Sequence, residues 1–119
     1  MASFLITGSS RGLGLALVSR LAALPESEVG TIFATARQDN SAQLNEVIKA
    51  SNGRVQFVQL DVTNQASIEA AARVVEGKLN GRGLDYLVNN AGVADWTEGN
   101  LDNMYVSKAR LKRWRVDLT

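Results

Sequence analysis

The feature that most constrains the fold is a glycine-rich loop near the start of the chain, Thr-Gly-Ser-Ser-Arg-Gly-Leu-Gly over residues 7–14. A short apolar run, residues 3–7, precedes the loop, and apolar residues at helical spacing follow it up to Leu24. A loop of this kind between a strand and a helix is typical of a βα unit that binds phosphate groups at the first turn of the helix. Glycines also mark plain turns, so it is the βαβ context that favours nucleotide binding.

Each glycine of the loop has its own predicted role. Gly8 allows a sharp turn off the strand, Gly12 allows the backbone to approach a pyrophosphate, and Gly14 allows the helix to lie close to the sheet. The loop lacks the lysine of an ATP- or GTP-binding P-loop, which disfavours those nucleotides. The predicted phosphate-binding residues are Gly8, Ser10, Arg11, Gly12, Leu13 and Gly14.

Short apolar runs alternate with helical patterns from residue 3 to residue 89, as in successive βα units. We predict an α/β Rossmann-type fold, a doubly wound parallel sheet of about four strands in the order 3-2-1-4, C-terminally truncated. The predicted strands are residues 3–7, 31–35, 55–59 and 86–89. The predicted helices are one that ends at Pro25, one over residues 42–50, and one that begins at Thr63 or Asn64 and ends at Asn80-Gly81.

The end of the second strand favours NADP over NAD. NAD-selective sites place an acid there to bind the ribose 2′-hydroxyl, whereas this chain has Arg37. A guanidinium binds a 2′-phosphate in bidentate fashion, and Arg11 adds a second positive charge. Two alternatives stay open: both arginines are ordinary surface residues, or the nearby Asp39 supports NAD.

Composition excludes several other classes of protein. The 119 residues fit one domain, and 45% apolar with 21% charged residues is typical of a globular chain. With no cysteine or histidine, the chain lacks a disulfide framework, the usual zinc ligands and histidine-based triads, so we predict no metal site. No apolar run is long enough to span a bilayer, and the glycine loop leaves no room for a secretory leader, so we predict a cytoplasmic protein.

With the glycine loop, Leu-Asp-Val-Thr at residues 60–63 and Asn-Asn-Ala-Gly at residues 89–92, the chain resembles the short-chain dehydrogenases/reductases, in particular the carbonyl-reductase-like branch. The similarity covers residues 3 to about 104. It implies that Asp61 binds the adenine amino group, that the Val62 amide contacts the ring, and that Asn90, Ala91 and Gly92 line the ribose and pyrophosphate. Alternatively, Asp61 caps the approach to the third helix and residues 89–92 form a bracing turn.

The resemblance also implies NADP-dependent hydride transfer to or from a carbonyl or alcohol. Catalysis in this family requires a particular serine and a Tyr-x-x-x-Lys pair, and these catalytic residues are absent from this sequence. In the nearest match, Tyr105 and Lys108 are three positions apart and not four. On a helix this difference rotates the lysine ammonium by about 100° from the position that the family requires, so we interpret the match as coincidence. We therefore expect that the chain alone is not competent for catalysis. The alternatives are a non-catalytic NADP-binding module, a partner of an intact relative, and an unstable product.

The last residues differ in kind from the rest. From residue 108 onward there are five basic residues and one acidic residue, a net charge of +4. We predict an NADP-binding half-domain over residues 1–104 and a basic tail outside the family over residues 105–119. A solvated charge run explains the tail better than a nucleic-acid or membrane surface. We also expect the fourth strand to leave an open sheet edge through which the chain could form oligomers.

Overall fold

A computed structural model describes residues 2–89 and 105–108 of the chain. Strands and helices alternate through the first seven elements, as the sequence predicts, and an eighth element follows. In chain order they are β1 (Ala2–Ile6), α1 (Gly12–Ala22), β2 (Val29–Ala36), α2 (Ala42–Ala50), β3 (Val55–Gln59), α3 (Gln65–Leu79), β4 (Tyr86–Asn89) and β5 (Tyr105–Lys108).

One sheet contains all five of these strands in the order β3-β2-β1-β4-β5. The first four are mutually parallel, which confirms the predicted Rossmann-type arrangement 3-2-1-4. After β1 the chain builds outward to β2 and β3, and it then returns to the other side of β1 to form β4. The strand order therefore reverses beside β1, and such a switch point opens a crevice at the carboxyl ends of the strands.

The predicted open edge beyond β4 is wrong, because β5 pairs with β4 in antiparallel fashion. Tyr86 lies opposite Lys108, and Val88 lies opposite Val106. Tyrosine and valine favour strands, and the unpaired edge of β4 offers hydrogen-bonding groups to any extended segment. Four residues beside a run of charged ones are too few to give a periodic signal in the sequence.

Apolar side chains cover both faces of the sheet, because successive residues of a strand point to opposite sides. Leu5 of β1 lies in the cluster that packs against α3, and its neighbour Ile6 lies in the cluster that packs against α1 and α2. Both are fully buried. The α3 cluster is Leu5, Phe33, Val58, Leu60, Ala71, Ala72, Val75, Leu79 and Leu84. The α1–α2 cluster is Ile6, Val18, Val29, Ile32, Ala34, Leu44, Val55 and Val88.

Polar residues fix both ends of α3. Asn64, one of the two predicted caps, accepts a hydrogen bond from the Ser67 amide at the start of α3. At the other end Asn80 adopts a left-handed conformation with φ 56°, as a helix-terminating residue does. The predicted extension of the first helix to Leu24 is wrong, because α1 ends at Ala22. Leu24 precedes Pro25, and a residue before a proline is disfavoured in the helical conformation.

Candidate nucleotide-binding site

The glycine loop joins the carboxyl end of β1 to the first turn of α1. Gly8 and Gly12 have φ values of 68° and 61°, in the left-handed region that favours glycine. A Cβ placed on Gly12 would meet no atom within 4 Å, so the space in front of this backbone is open. Gly14 is buried in α1, consistent with the close packing predicted for it.

The first turn of α1 is well suited to an anion. Its N-cap residue, Arg11, makes no side-chain capping hydrogen bond, and the turn contains no acidic residue. The amides of a first helical turn have no partners within the helix, and the helix dipole favours negative charge there. A phosphate group fits this end of the helix both in hydrogen bonding and in charge.

Ser9, which the sequence analysis did not single out, fastens the loop to β2. Its side chain is fully buried, and its amide donates to the carbonyl of Thr35 at 2.8 Å. The Ser9 hydroxyl donates to the Ile6 carbonyl at 2.8 Å and accepts from the Thr35 amide at 3.3 Å. These bonds tie the first half of the loop to the end of β1 and to β2.

A broad polar groove lies beside the loop at the carboxyl ends of β1, β2 and β3, with a volume of about 820 Å³. It brings together four of the predicted site residues, Ser10, Arg11, Arg37 and Asp61, which come from three different loops. The other lining residues, which sequence reasoning missed, are Ala36, Gln38, Asn40, Ser41, Gln59, Asn64 and Ser67.

Two arginines supply the positive charge of the groove. Both Arg11 and Arg37 are exposed, and both line it. Gln59 at the end of β3 donates to the Arg37 carbonyl at 3.0 Å, which fixes the backbone from which this side chain projects. Asp39, the acid that kept NAD open, is not among the lining residues.

Asp61 is the acidic group of the groove, and its carboxylate is held in a tight turn. One oxygen, Oδ1, accepts from the Thr63 hydroxyl at 2.6 Å and from the Thr63 amide at 3.0 Å. The hydroxyl bond, the amide bond and the positive charge of Arg37 together hold the pKa of Asp61 below its ordinary value of 3.8, against the opposing effect of partial burial. The N-cap of α3 is Asn64 and not Asp61. Asp61 stabilises the turn before the helix through its two hydrogen bonds with Thr63.

Val62, by contrast, packs its side chain against the α3 core cluster, so any contact with a ligand from this residue would come from its backbone. Leu13 is 39% exposed. Neither residue is among those that line the groove. The predicted residues Asn90, Ala91 and Gly92 lie outside the described part of the chain.

Comparison with known proteins agrees with this geometry. The short chain dehydrogenase family matches residues 2–114. The chain belongs to this family. It is 42% identical over 94 residues to a short-chain dehydrogenase/reductase from Arthrinium sp, a match that covers 76% of this chain and 32% of the relative. Membership confirms the resemblance that the glycine loop and the two later motifs indicate.

Solved structures of two carbonyl reductases share the fold. NADPH-bound carbonyl reductase from chicken fatty liver is 40% identical with a TM-score of 0.67, over 87% of this chain and 38% of that one. Carbonyl reductase Sniffer of D. melanogaster is 32% identical with a TM-score of 0.71, over 87% and 41%. The chain thus spans well under half the length of these relatives. Within residues 2–89 and 105–108, no helix combines the length and apolar character needed to cross a bilayer.

Proposed function

We propose that this short-chain dehydrogenase chain binds NADP(H) in the groove at the carboxyl ends of β1, β2 and β3. The single observation that carries the proposal is the pair Arg11 and Arg37, which line one groove with the open backbone at Gly12 beside it. The amides at the start of α1 would bind the pyrophosphate, and the two guanidinium groups would bind the 2′-phosphate. NADPH in the chicken carbonyl reductase supports this choice of cofactor.

Asp61 suits the adenosine part of the same ligand. Hydrogen bonds from Thr63 occupy its Oδ1 and hold the side chain in place at the edge of the groove. Its pKa lies below the ordinary value of 3.8, so the carboxylate is ionised at neutral pH, where it accepts and does not donate hydrogen bonds. An exocyclic amino group of an adenine is a donor that fits this acceptor.

Bound nicotinamide would supply or accept a hydride in the conversion of a carbonyl to an alcohol. This chain would hold and orient the cofactor. The sequence has neither the Tyr-x-x-x-Lys pair nor an assigned catalytic serine, so we further propose that the 119-residue chain on its own binds NADP(H) without turning it over. That absence also favours a second candidate function, a non-catalytic NADP-binding module.

Calorimetric titration of the purified chain with NADPH and with NADH tests the binding proposal. We expect tighter binding of NADPH, and we expect Arg37→Asp to weaken NADPH binding by about 100-fold or more, since bonds to charged groups contribute about 1.5–3 kcal/mol each and repulsion adds to their loss. Arg73→Asp, a matched change at an exposed arginine of α3 outside the groove, should leave both affinities unchanged. Equal affinities for the two cofactors in the unsubstituted chain would overturn the assignment.

A panel of carbonyl and alcohol substrates tests the proposed lack of turnover. We expect binding of NADPH without oxidation or reduction of any panel member. Turnover by the chain alone would contradict the proposal that it lacks catalysis by itself.

A further inference from the structure

Ser41 connects two parts of the molecule that are 31 residues apart. It is the N-cap of α2, where its hydroxyl accepts from the Leu44 amide at 3.2 Å. The same hydroxyl donates to the carbonyl of Ser10 in the glycine loop at 2.8 Å. One half-buried oxygen thus serves as donor to the loop and as acceptor from the helix.

The helix end of this connection is anchored in the core. Leu44 is only 1% exposed, and its side chain belongs to the α1–α2 core cluster. The Asn45 amide also donates to the Ser41 carbonyl at 3.0 Å, which fixes the backbone of the cap residue. Ser41 is therefore a fixed point from which the loop is held.

At the loop end, the hydrogen bond to the Ser10 carbonyl fixes the orientation of the following amide, because a peptide unit is planar. That amide belongs to Arg11, the N-cap residue of α1. The bond from Ser41 therefore limits the rotation of the backbone from which the Arg11 side chain projects. Ser10, Arg11, Arg37 and Ser41 all line the same groove.

We infer that Ser41 is a positioning residue for cofactor selectivity: it holds Ser10 so that Arg11 stays in the groove with Arg37 and the two guanidinium groups act together on the 2′-phosphate. This inference rests on the proposed binding of NADP(H). It separates Ser41 from an ordinary helix cap, because a cap alone would stabilise α2 without changing the choice between NADPH and NADH.

The chain contains a closely matched control at the other end of α2. The Ser51 hydroxyl also donates to a carbonyl, that of Ile48 at 2.7 Å, and accepts from an amide, that of Val55 at 3.0 Å. Ser51 does not line the groove. Ser51→Ala therefore removes the same two kinds of hydrogen bond as Ser41→Ala but at a distance from the proposed cofactor.

The test measures the dissociation constants of NADPH and NADH by calorimetry and takes their ratio. Ser41→Ala should reduce the preference for NADPH by about fivefold or more, the change expected for one net hydrogen bond of about 1 kcal/mol. Ser41→Thr, which keeps the hydroxyl, should retain the preference, and Ser51→Ala should leave it unchanged. If Ser41→Ala fails to fold, Ser41→Gly gives the same test, because glycine is tolerated at a helix N-cap but cannot bond to Ser10.

Two negative results are distinguishable. If the unsubstituted chain prefers NADPH and the preference survives in Ser41→Ala or Ser41→Gly, Ser41 is only a helix cap and the inference is overturned alone. If the unsubstituted chain binds both cofactors equally, the proposed function and the inference both fail.

Discussion

Ser9 and Thr35 lie 26 residues apart and exchange two hydrogen bonds, from the Ser9 amide to the Thr35 carbonyl at 2.8 Å and from the Thr35 amide to the Ser9 hydroxyl at 3.3 Å. Both residues are fully buried. The Thr35 hydroxyl also donates to the Ile6 carbonyl at 3.0 Å, the same atom that accepts from the Ser9 hydroxyl. This arrangement extends the pairing of β1 and β2 beyond the end of β1 and fixes the start of the glycine loop.

Ser9→Ala should lower the free energy of unfolding by about 1–3 kcal/mol, the cost of leaving a buried polar group without its partner. Urea unfolding followed by circular dichroism measures the change. Ser19→Ala, at an exposed position of α1, is the control and should change stability by less than about 0.5 kcal/mol. Similar small effects from both substitutions would mean that the Ser9 hydroxyl does not stabilise the loop.

The pKa of Asp61 should respond to Thr63. The hydroxyl bond from Thr63 is the largest cause of the lowered pKa, so Thr63→Val should raise the midpoint of the Asp61 carboxyl titration toward 3.8. Because the folded-state pKa is the lower one, the stability contributed by ionised Asp61 is present above the unfolded pKa and is lost as pH falls through the folded pKa. Carboxyl carbon chemical shifts measured by NMR between pH 6 and 2 would follow the titration, and an unchanged midpoint in Thr63→Val would refute this cause.

Arg54 should stabilise the junction of α1 and β2. Its guanidinium donates to the carbonyl of Ala22 at the end of α1, at 3.0 Å, and to the carbonyl of Val29 at the start of β2, at 2.8 Å. Arg54→Ala should lower the free energy of unfolding by about 1.5–3 kcal/mol, the range for hydrogen bonds to a charged group. Arg54→Lys should recover only part of this loss, because an ammonium lacks the planar fork that reaches both carbonyls. Full recovery by lysine would contradict the bridging role.

The strand β5 should protect the edge of β4. A chain ending at residue 104 lacks β5 and exposes the hydrogen-bonding groups of β4, so we expect it to associate as its concentration rises. A chain ending at residue 108 keeps β5 and is the matched control, which should remain monomeric over the same range. Sedimentation velocity distinguishes the two, and monomers in both cases would show that this edge does not drive association.

Local sequence patterns predicted most of the fold. The bounds of α2, β3 and β4 agree with the prediction, because each element has an apolar pattern in its own residues. Leu24 was misplaced because the helical spacing of apolar residues continues to Leu24, whereas the helix itself ends at Ala22. The strand β5 was missed because its pairing with β4 depends on a contact between distant parts of the chain, not on its own four residues.

The candidate site was predictable where residue type and position define the chemistry, as for Arg37 at the end of β2 and the glycines of the loop. Ser9 and Ser41 were not predictable in this way. Each acts through a hydrogen bond to a residue 26 or 31 positions away in the sequence. These partners come into contact only through the way in which β1, β2 and α2 pack together. A single serine in the sequence gives no sign of such a partner.

In the proposed complex, phosphate groups of a dinucleotide lie against the first turn of α1, in the groove at the carboxyl edge of the sheet. Backbone amide NMR of the labelled chain during titration with NADPH tests it directly. We expect the largest shifts at Gly12, Leu13 and Arg37, with little change at Arg82 and Gly83, which line a small cavity of about 40 Å³ near the amino ends of the strands. Shifts concentrated at Arg82 and Gly83, or no saturable shifts at the glycine loop, would contradict it.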